Sequence, residues 1–321
     1  MKRNLRIAFM GTPEFAVSSL EGLVTSGFEV VVVVTAPDRP AGRGRKLTAS
    51  AVKQYALKQG IPVLQPTRLR DPEFLEELRG YRANLQVVVA FRMLPEVVWK
   101  MPEYGTFNLH ASLLPDYRGA APINWAIING ETQTGVTTFF IDQQIDTGNI
   151  ILQEQTPLGP EETAGQLHDR LMKLGAGLVV ETVSRIESGR VETRPQKHID
   201  SPKTAPKLNQ ENTLIPWDAP VLEVHNRIRG LSPYPGAWSI LENGADQLRI
   251  KVYASTPSDL AAKGNPGTLK QHGKRLFVAC ENGWLELLEM QLPGKRRMAV
   301  QEILNGFSLE RGARFHQTPA T

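Results

Sequence analysis

Apolar runs of five to seven residues alternate with amphipathic segments through the first half of the chain. Residues 5–10, 29–35 and 85–90 are rich in β-branched and aliphatic side chains and show little polar alternation, and residues 106–110 read as a further strand. That pattern predicts strands buried on both faces. Between them, Thr12-Pro13-Glu14 opens a helix with proline in its first turn, residues 50–59 make a second helix stopped by Gly60, and residues 71–80 a third. A short strand is expected at 61–64. This βαβα order predicts an α/β, Rossmann-like domain with a mostly parallel sheet and helices on both faces.

The rhythm continues with a strand at 135–140, a loop to Gly148 and a strand at 149–153. A helix at 163–188 follows, with Leu167, Leu171, Leu174, Leu178 and Val179 on its apolar side. From Gly189 to Gln210 the chain turns polar and carries Pro195, Pro202 and Pro206, as a linker does. Beyond it come a helix at 220–229 and short strands near 237–242, 247–254, 266–270, 275–280 and 284–288, then a last helix at 299–305. Asn243-Gly244, Asn282-Gly283 and Pro293-Gly294 supply the turns. Short strands at this spacing predict a small β-barrel or sandwich. The expected division is a first domain at 1–189, a linker at 190–210 and a second domain at 211–321.

Composition narrows the function classes. At 321 residues, with 41% hydrophobic and 22% charged residues, the chain has the make-up of an ordinary globular protein of two domains. Its one cysteine, Cys280, excludes a disulfide framework and a multi-cysteine zinc site, and its apolar neighbours make it a buried structural thiol. The first apolar run reads as a strand rather than a signal peptide, and no stretch reaches the ~20 apolar residues of a membrane span, so cytoplasm is the expected compartment. A net charge of +4 permits a polyanionic partner without requiring one.

The chemistry concentrates at residues 105–122, where a strand breaks into a loop containing Ser112, Pro115, Gly119 and Pro122. Asn108 and His110 are two apart and share one face of that strand. The other five histidines lack ligand-like spacing, so a metal is not expected. Asp142 and Asp146 lie in a loop after a later strand of the same sheet, and ligands in such folds gather at the carboxyl ends of strands. Gly148 permits a turn at positive φ there. Gly11-Thr-Pro-Glu has one glycine where a dinucleotide loop needs three, which argues against a nicotinamide cofactor. Ser112 lacks the surroundings of a hydrolase nucleophile. An amide, an imidazole and a carboxylate without a nucleophile suit direct acyl transfer to an amine. Residues 36–47 form a long basic connection carrying Arg39, Arg43, Arg45 and Lys46, with Lys53 and Lys58 just beyond. It fits either a nucleic-acid backbone or a solvated loop.

Phe107-Asn108-Leu109-His110-Ala111-Ser112-Leu113-Leu114-Pro115, Arg118-Gly119-Ala-Ala-Pro122 and Asp142-x-x-x-Asp146-Thr147-Gly148 together resemble the folate-dependent formyltransferase family. The resemblance implies Asn108, His110 and Asp146 as the catalytic trio. It also implies a folate site for 10-formyltetrahydrofolate at Ser112, Leu113, Leu114, Pro115 and Asp142. Three further segments, at 11–16, 37–47 and 228–238, resemble the branch of the family that formylates the free α-amino group of methionyl-tRNA. On that branch the partner is the initiator methionyl-tRNA, gripped by Arg39, Arg43, Arg45 and Lys46 and by an OB-type second domain, with no metal, membrane or obligate protein partner implied. The alternatives are a member acting on an amino sugar nucleotide or a purine precursor, and a non-catalytic RNA-binding protein. One segment departs from the family pattern: Ala90-Phe91-Arg92-Met93-Leu94-Pro95 is a residue short and has arginine in place of glycine.

Overall fold

The structure is a computed structural model that describes residues 2–41, 46–260 and 264–316. The chain divides into two compact units. One comprises 1–122, 134–156 and 168–204; the other comprises 123–133, 157–167 and 205–321.

In chain order, the first elements are β1 (Arg6–Gly11), α1 (Glu14–Thr25), β2 (Glu29–Val34), β3 (Arg39–Ala41), β4 (Lys46–Thr48), α2 (Ala51–Lys58), β5 (Val63–Leu64), α3 (Pro72–Gly80) and β6 (Leu85–Val89). They continue with α4 (Glu96–Trp99), β7 (Thr106–His110), β8 (Arg118–Gly119), α5 (Pro122–Ile128), β9 (Gln133–Phe140), β10 (Ile150–Pro157) and α6 (Ala164–Glu187). The main sheet runs β10-β9-β7-β6-β1-β2-β5. Strands β7, β6, β1, β2 and β5 are parallel, and β9 runs antiparallel to β7. β1 lies inside the sheet between β6 and β2, with Ile7, Ala8, Phe9 and Met10 fully buried, as an apolar strand covered on both faces should be. On one face Met10, Val32 and Val88 pack with Phe74, Leu75 and Leu78 of α3 and Val98 of α4. On the other, α6 approaches β7 so closely that a Cβ on Gly175 would come within 2.6 Å of a Leu109 methyl. Leu109 therefore faces α6, and its neighbours Asn108 and His110 project from the opposite side of the sheet.

Two expectations change. The basic connection at 36–47 is a hairpin rather than an irregular loop: β3 pairs antiparallel with β4, matching Arg39 to Thr48 and Pro40 to Leu47. Arg43 and Arg45, which fall between these two strands in sequence, lie outside the described residues. Strand direction also differs, because β9 is antiparallel and its carboxyl end, Phe140, lies beside Phe107 near the start of β7. The shared-edge reason for bringing Asp146 to His110 therefore fails. The connection after β9 has to come back along β7 to reach His110.

The second unit holds β11 (Thr204–Ala205) at its boundary, then α7 (Val221–Gly230), β12 (Ala237–Asn243), β13 (Asp246–Ser258), β14 (Leu269–His272), β15 (Arg275–Ala279), β16 (Trp284–Gln291), β17 (Met298–Ala299), α8 (Val300–Ile303) and β18 (Arg314–His316). Its sheet runs β14-β15-β16-β13-β12-β18, with β17 on β16. Register shifts around Ala254 bend the long β13 against β16. The two edges then meet, since Thr268 bridges Arg314 and the Phe315 N–H donates to the Gly267 carbonyl at 2.8 Å. The result is the small closed sheet expected of an OB-type domain. Trp217 stacks on Phe315 with ring centroids 5.1 Å apart, inside a core that includes Ile228, Val252 and Leu285. Cys280 is part of that core, and burial pushes its thiol up to about 12, so it is inert at neutral pH.

Candidate active site

His110 is the last residue of β7. Its Nε2 lies 2.8 Å from the Tyr117 carbonyl oxygen, and its Nδ1 lies 3.8 Å from Asp146 Oδ2. A carbonyl can only accept, so the Nε2 proton is committed to Tyr117. In the neutral ring, Nδ1 is then the unprotonated nitrogen, and it faces a carboxylate. At 3.8 Å that pair is too long for a hydrogen bond, so Tyr117, rather than Asp146, orients the neutral imidazole. Tyr117 takes this role through its backbone, which adopts φ 61°. Both partners are enclosed, with side chains only 7% and 14% exposed.

Asp146 is fixed from several sides. Its Oδ2 accepts from the Gly119 N–H at 2.9 Å, while its backbone sits at φ 57°. The left-handed residue of this turn is therefore Asp146, and Gly148 is not in that region. Glycine is required at 148 for another reason: a Cβ there would lie 1.6 Å from the Phe140 carbonyl oxygen. Asp142 is exposed and closes the same loop, its Oδ1 accepting from the Gln144 N–H at 3.0 Å and the Thr147 hydroxyl at 2.7 Å.

Asn108 is half-buried on the face that carries His110. Among the described residues its carboxamide makes no hydrogen bond, so its NH₂ is free to donate.

The following loop is tightly braced. Ser112 is fully buried, and its hydroxyl donates to the Asp116 carbonyl at 2.7 Å, which removes it as a nucleophile. Leu114 packs on Phe139 and Ile150. Its carbonyl accepts from Gln153 Nε2 at 2.8 Å, and Thr137 Oγ1 donates to the Ser112 carbonyl at 2.6 Å. Leu113 and Pro115 stay half-exposed. The departing segment at 90–95 finds its own anchor, because Arg92 donates to the Thr67 carbonyl at 2.8 Å and to the Pro66 carbonyl. Burial, with Arg39 adding to it, lowers the Arg92 guanidinium from its usual value.

At the basic hairpin, Arg39 is exposed, while Lys53 is already engaged: its ammonium binds Asp38 Oδ2 at 2.7 Å and Gln65 Oε1 at 2.7 Å. The Lys53 bond first, and then one donated by Gln65 Nε2 to Asp38 Oδ1 at 2.8 Å, hold the Asp38 carboxyl below its ordinary range. Lys46 belongs to β4 by its backbone. Tyr117, Gln153 and Gln196, none of them singled out from the sequence, complete the site together with the Gly119 N–H. A backbone carbonyl or N–H has no signature in sequence, and Gln196 lies in the stretch read as linker. Among the described residues no group of three His, Cys, Asp or Glu side chains could hold a metal, and no helix is long and apolar enough to cross a membrane.

A profile of the formyl transferase family matches residues 5–183, and one for the formyl transferase C-terminal domain matches 207–308. The methionyl-tRNA formyltransferase of Flavobacterium johnsoniae is 55% identical over 97% of this chain and 99% of its own length. That of Bacteroides fragilis is 51% identical over 96% and 97%. Among solved structures, the sugar 3N-formyl transferase WlaRD, determined with dTDP and 5-N-formyl-THF, aligns at a TM-score of 0.66. It is 20% identical, covering 92% of this chain and 100% of that one, a likeness of fold. The chain belongs to the formyl transferase family, alongside the methionyl-tRNA formyltransferases that it matches over nearly its whole length.

Proposed function

We propose that the protein transfers the formyl group of 10-formyltetrahydrofolate to the α-amino group of methionyl-tRNA, giving the N-formylmethionyl initiator tRNA. The observation that carries the chemistry is the geometry of His110: Nε2 is tied to the Tyr117 carbonyl, leaving Nδ1 open beside Asp146. Relatives at about half identity over the full length support the acceptor.

The α-amine attacks the formyl carbon in its neutral form, which is accessible because an ordinary α-amino group has a pKa of about 7.7–8.0 and the ester to tRNA lowers it. As the new C–N bond forms, the amine must lose a proton, and His110 Nδ1 accepts it. Protonation turns the 3.8 Å approach to Asp146 into an ion pair, so the carboxylate stabilises the charged ring that the step creates. The formyl oxygen becomes an oxyanion, to which the free Asn108 NH₂ donates. Collapse of the tetrahedral intermediate breaks the bond to N10 of the folate, and the imidazolium returns its proton to that nitrogen. One proton leaves the amine and one reaches N10, so the sequence balances without a covalent enzyme intermediate.

Leu113 and Pro115, half-exposed, are assigned to the folate together with Ser112, Leu114 and Asp142, of which Ser112 and Leu114 are buried beneath them in the loop. Arg39, Arg43, Arg45 and Lys46 are assigned to the tRNA backbone, the 190–210 stretch to the connection between domains, and the second domain to tRNA as well. The test is transfer of labelled formyl from 10-formyltetrahydrofolate to methionyl-tRNA, with uncharged tRNA and an amino sugar nucleotide as controls. Product on methionyl-tRNA alone supports the reading, and product on the sugar alone overturns it.

A further inference from the structure

Gln196 lies outside every element of the main sheet, yet its half-buried side chain uses both ends of its amide at the active-site loop. Its Nε2 donates to the carbonyls of Asp146 at 2.8 Å and Gly148 at 2.9 Å. Its Oε1 accepts from Arg118 Nε at 3.1 Å and Nη2 at 2.5 Å. Arg118 immediately precedes Gly119, whose N–H holds the Asp146 carboxylate. These contacts close a ring, in which the carboxylate of Asp146 is gripped by one residue of the pair 118–119 and its backbone, through Gln196, by the other.

The ring answers a specific difficulty. Asp146 stands in the left-handed region, which a residue with a Cβ leaves readily unless its surroundings hold it there. Rotation of that peptide would carry the carboxylate away from His110. Gln196 binds the carbonyls on both sides of Thr147, and so fixes the peptide that follows Asp146 and, two residues on, the one that follows Gly148. The strand of chain bearing Gln196 is itself anchored. The Arg194 N–H donates to the Ile150 carbonyl at 3.0 Å, and the Lys203 carbonyl accepts from the Tyr117 N–H at 2.6 Å. One short segment thus braces the Asp146 loop and the residue whose carbonyl orients His110.

We propose that Gln196 is the positioning residue of Asp146, acting on formyl transfer by holding that carboxylate against His110 through the two carbonyls it binds. The inference rests on the assignment of Asp146 to catalysis. The variant Gln196→Met keeps the side chain's length and loses its hydrogen bonds. Gln196→Glu keeps the acceptor for Arg118 and loses the donors, which guards against a result due only to poor folding. Both should lower kcat by about 10- to 100-fold, the scale of an ångström-sized misplacement, with KM for folate and for methionyl-tRNA within about twofold of wild type. In an Asp146→Asn background, Gln196→Met should lower kcat by no more than about a further twofold, because its effect runs through the missing carboxylate. An equal loss in both backgrounds, or a loss confined to KM, overturns the proposal. If Asp146→Asn alone is as active as wild type, the assignment of Asp146 falls, and this proposal with it.

Discussion

His110 and Asp146 face each other across 3.8 Å, with the ring already fixed on its far side by the Tyr117 carbonyl. The imidazole is held by one partner in its neutral form and awaits the other in its charged form. A base that gains its second partner only on taking up a proton is stabilised late in the reaction, where stabilisation accelerates it.

Asn108 tests the oxyanion assignment. Asn108→Ala should lower kcat by roughly 10²–10³-fold with little change in KM, as loss of an oxyanion donor does elsewhere. Steady-state kinetics with both substrates varied would show it. Full activity in the variant would remove Asn108 from the mechanism.

Gly148 tests the architecture of the Asp146 loop. Gly148→Ala places a methyl group where the Phe140 carbonyl already stands, so the loop must move or the strand end must yield. We expect a loss of stability of at least about 1–3 kcal/mol in chemical denaturation, together with loss of activity.

The hairpin at β3 and β4 tests the acceptor site. Arg39→Ala should weaken binding of methionyl-tRNA and reduce the slope of log Kd against log salt by about 1, leaving KM for folate unchanged. A salt slope identical to wild type would take Arg39 away from the phosphates.

His225 predicts a pH dependence of stability within the second unit. It is buried, with Nδ1 3.2 Å from Ser255 Oγ and Nε2 3.3 Å from the Glu161 carboxylate. Burial, assisted by the charge of Arg229, lowers its pKa below 6.5, although Glu161 and the backbone at Pro160 oppose the shift. The unfolded chain therefore binds a proton more readily than the native one between the native pKa and about 6.5, and stability must fall as pH falls through that window. The slope from this group is at most about 1.4 kcal/mol per pH unit. Urea denaturation at pH 7.5 and pH 5.5 should show a smaller acid loss in His225→Gln than in wild type.

The parts legible in the sequence are those whose pattern is local. The helix expected at 163–188 is Ala164–Glu187, because its apolar stripe is long and regular. β10 runs on to Pro157, four residues past its expected end at 153, since its second half is a polar stretch on an edge strand that needs no apolar alternation. The direction of β9 was not legible, as it depends on how residues 111–132 cross back and not on anything in residues 133–140. Asn108 and His110 could be paired from their spacing alone, but the strand-end argument that joined Asp146 to them does not hold for an antiparallel β9, which leaves the family resemblance as its sequence support. Tyr117 and Gln196 were invisible, one acting through its carbonyl and the other from a stretch with the composition of a linker.

The most direct measurement is single-turnover transfer of labelled formyl from 10-formyltetrahydrofolate to methionyl-tRNA by wild type and by His110→Ala at equal saturation. Rapid transfer by the wild type to charged tRNA only, and a rate about 10²–10⁴-fold lower in the variant, is the predicted result. A variant that matches wild type, or a wild type that leaves methionyl-tRNA unformylated, would contradict it.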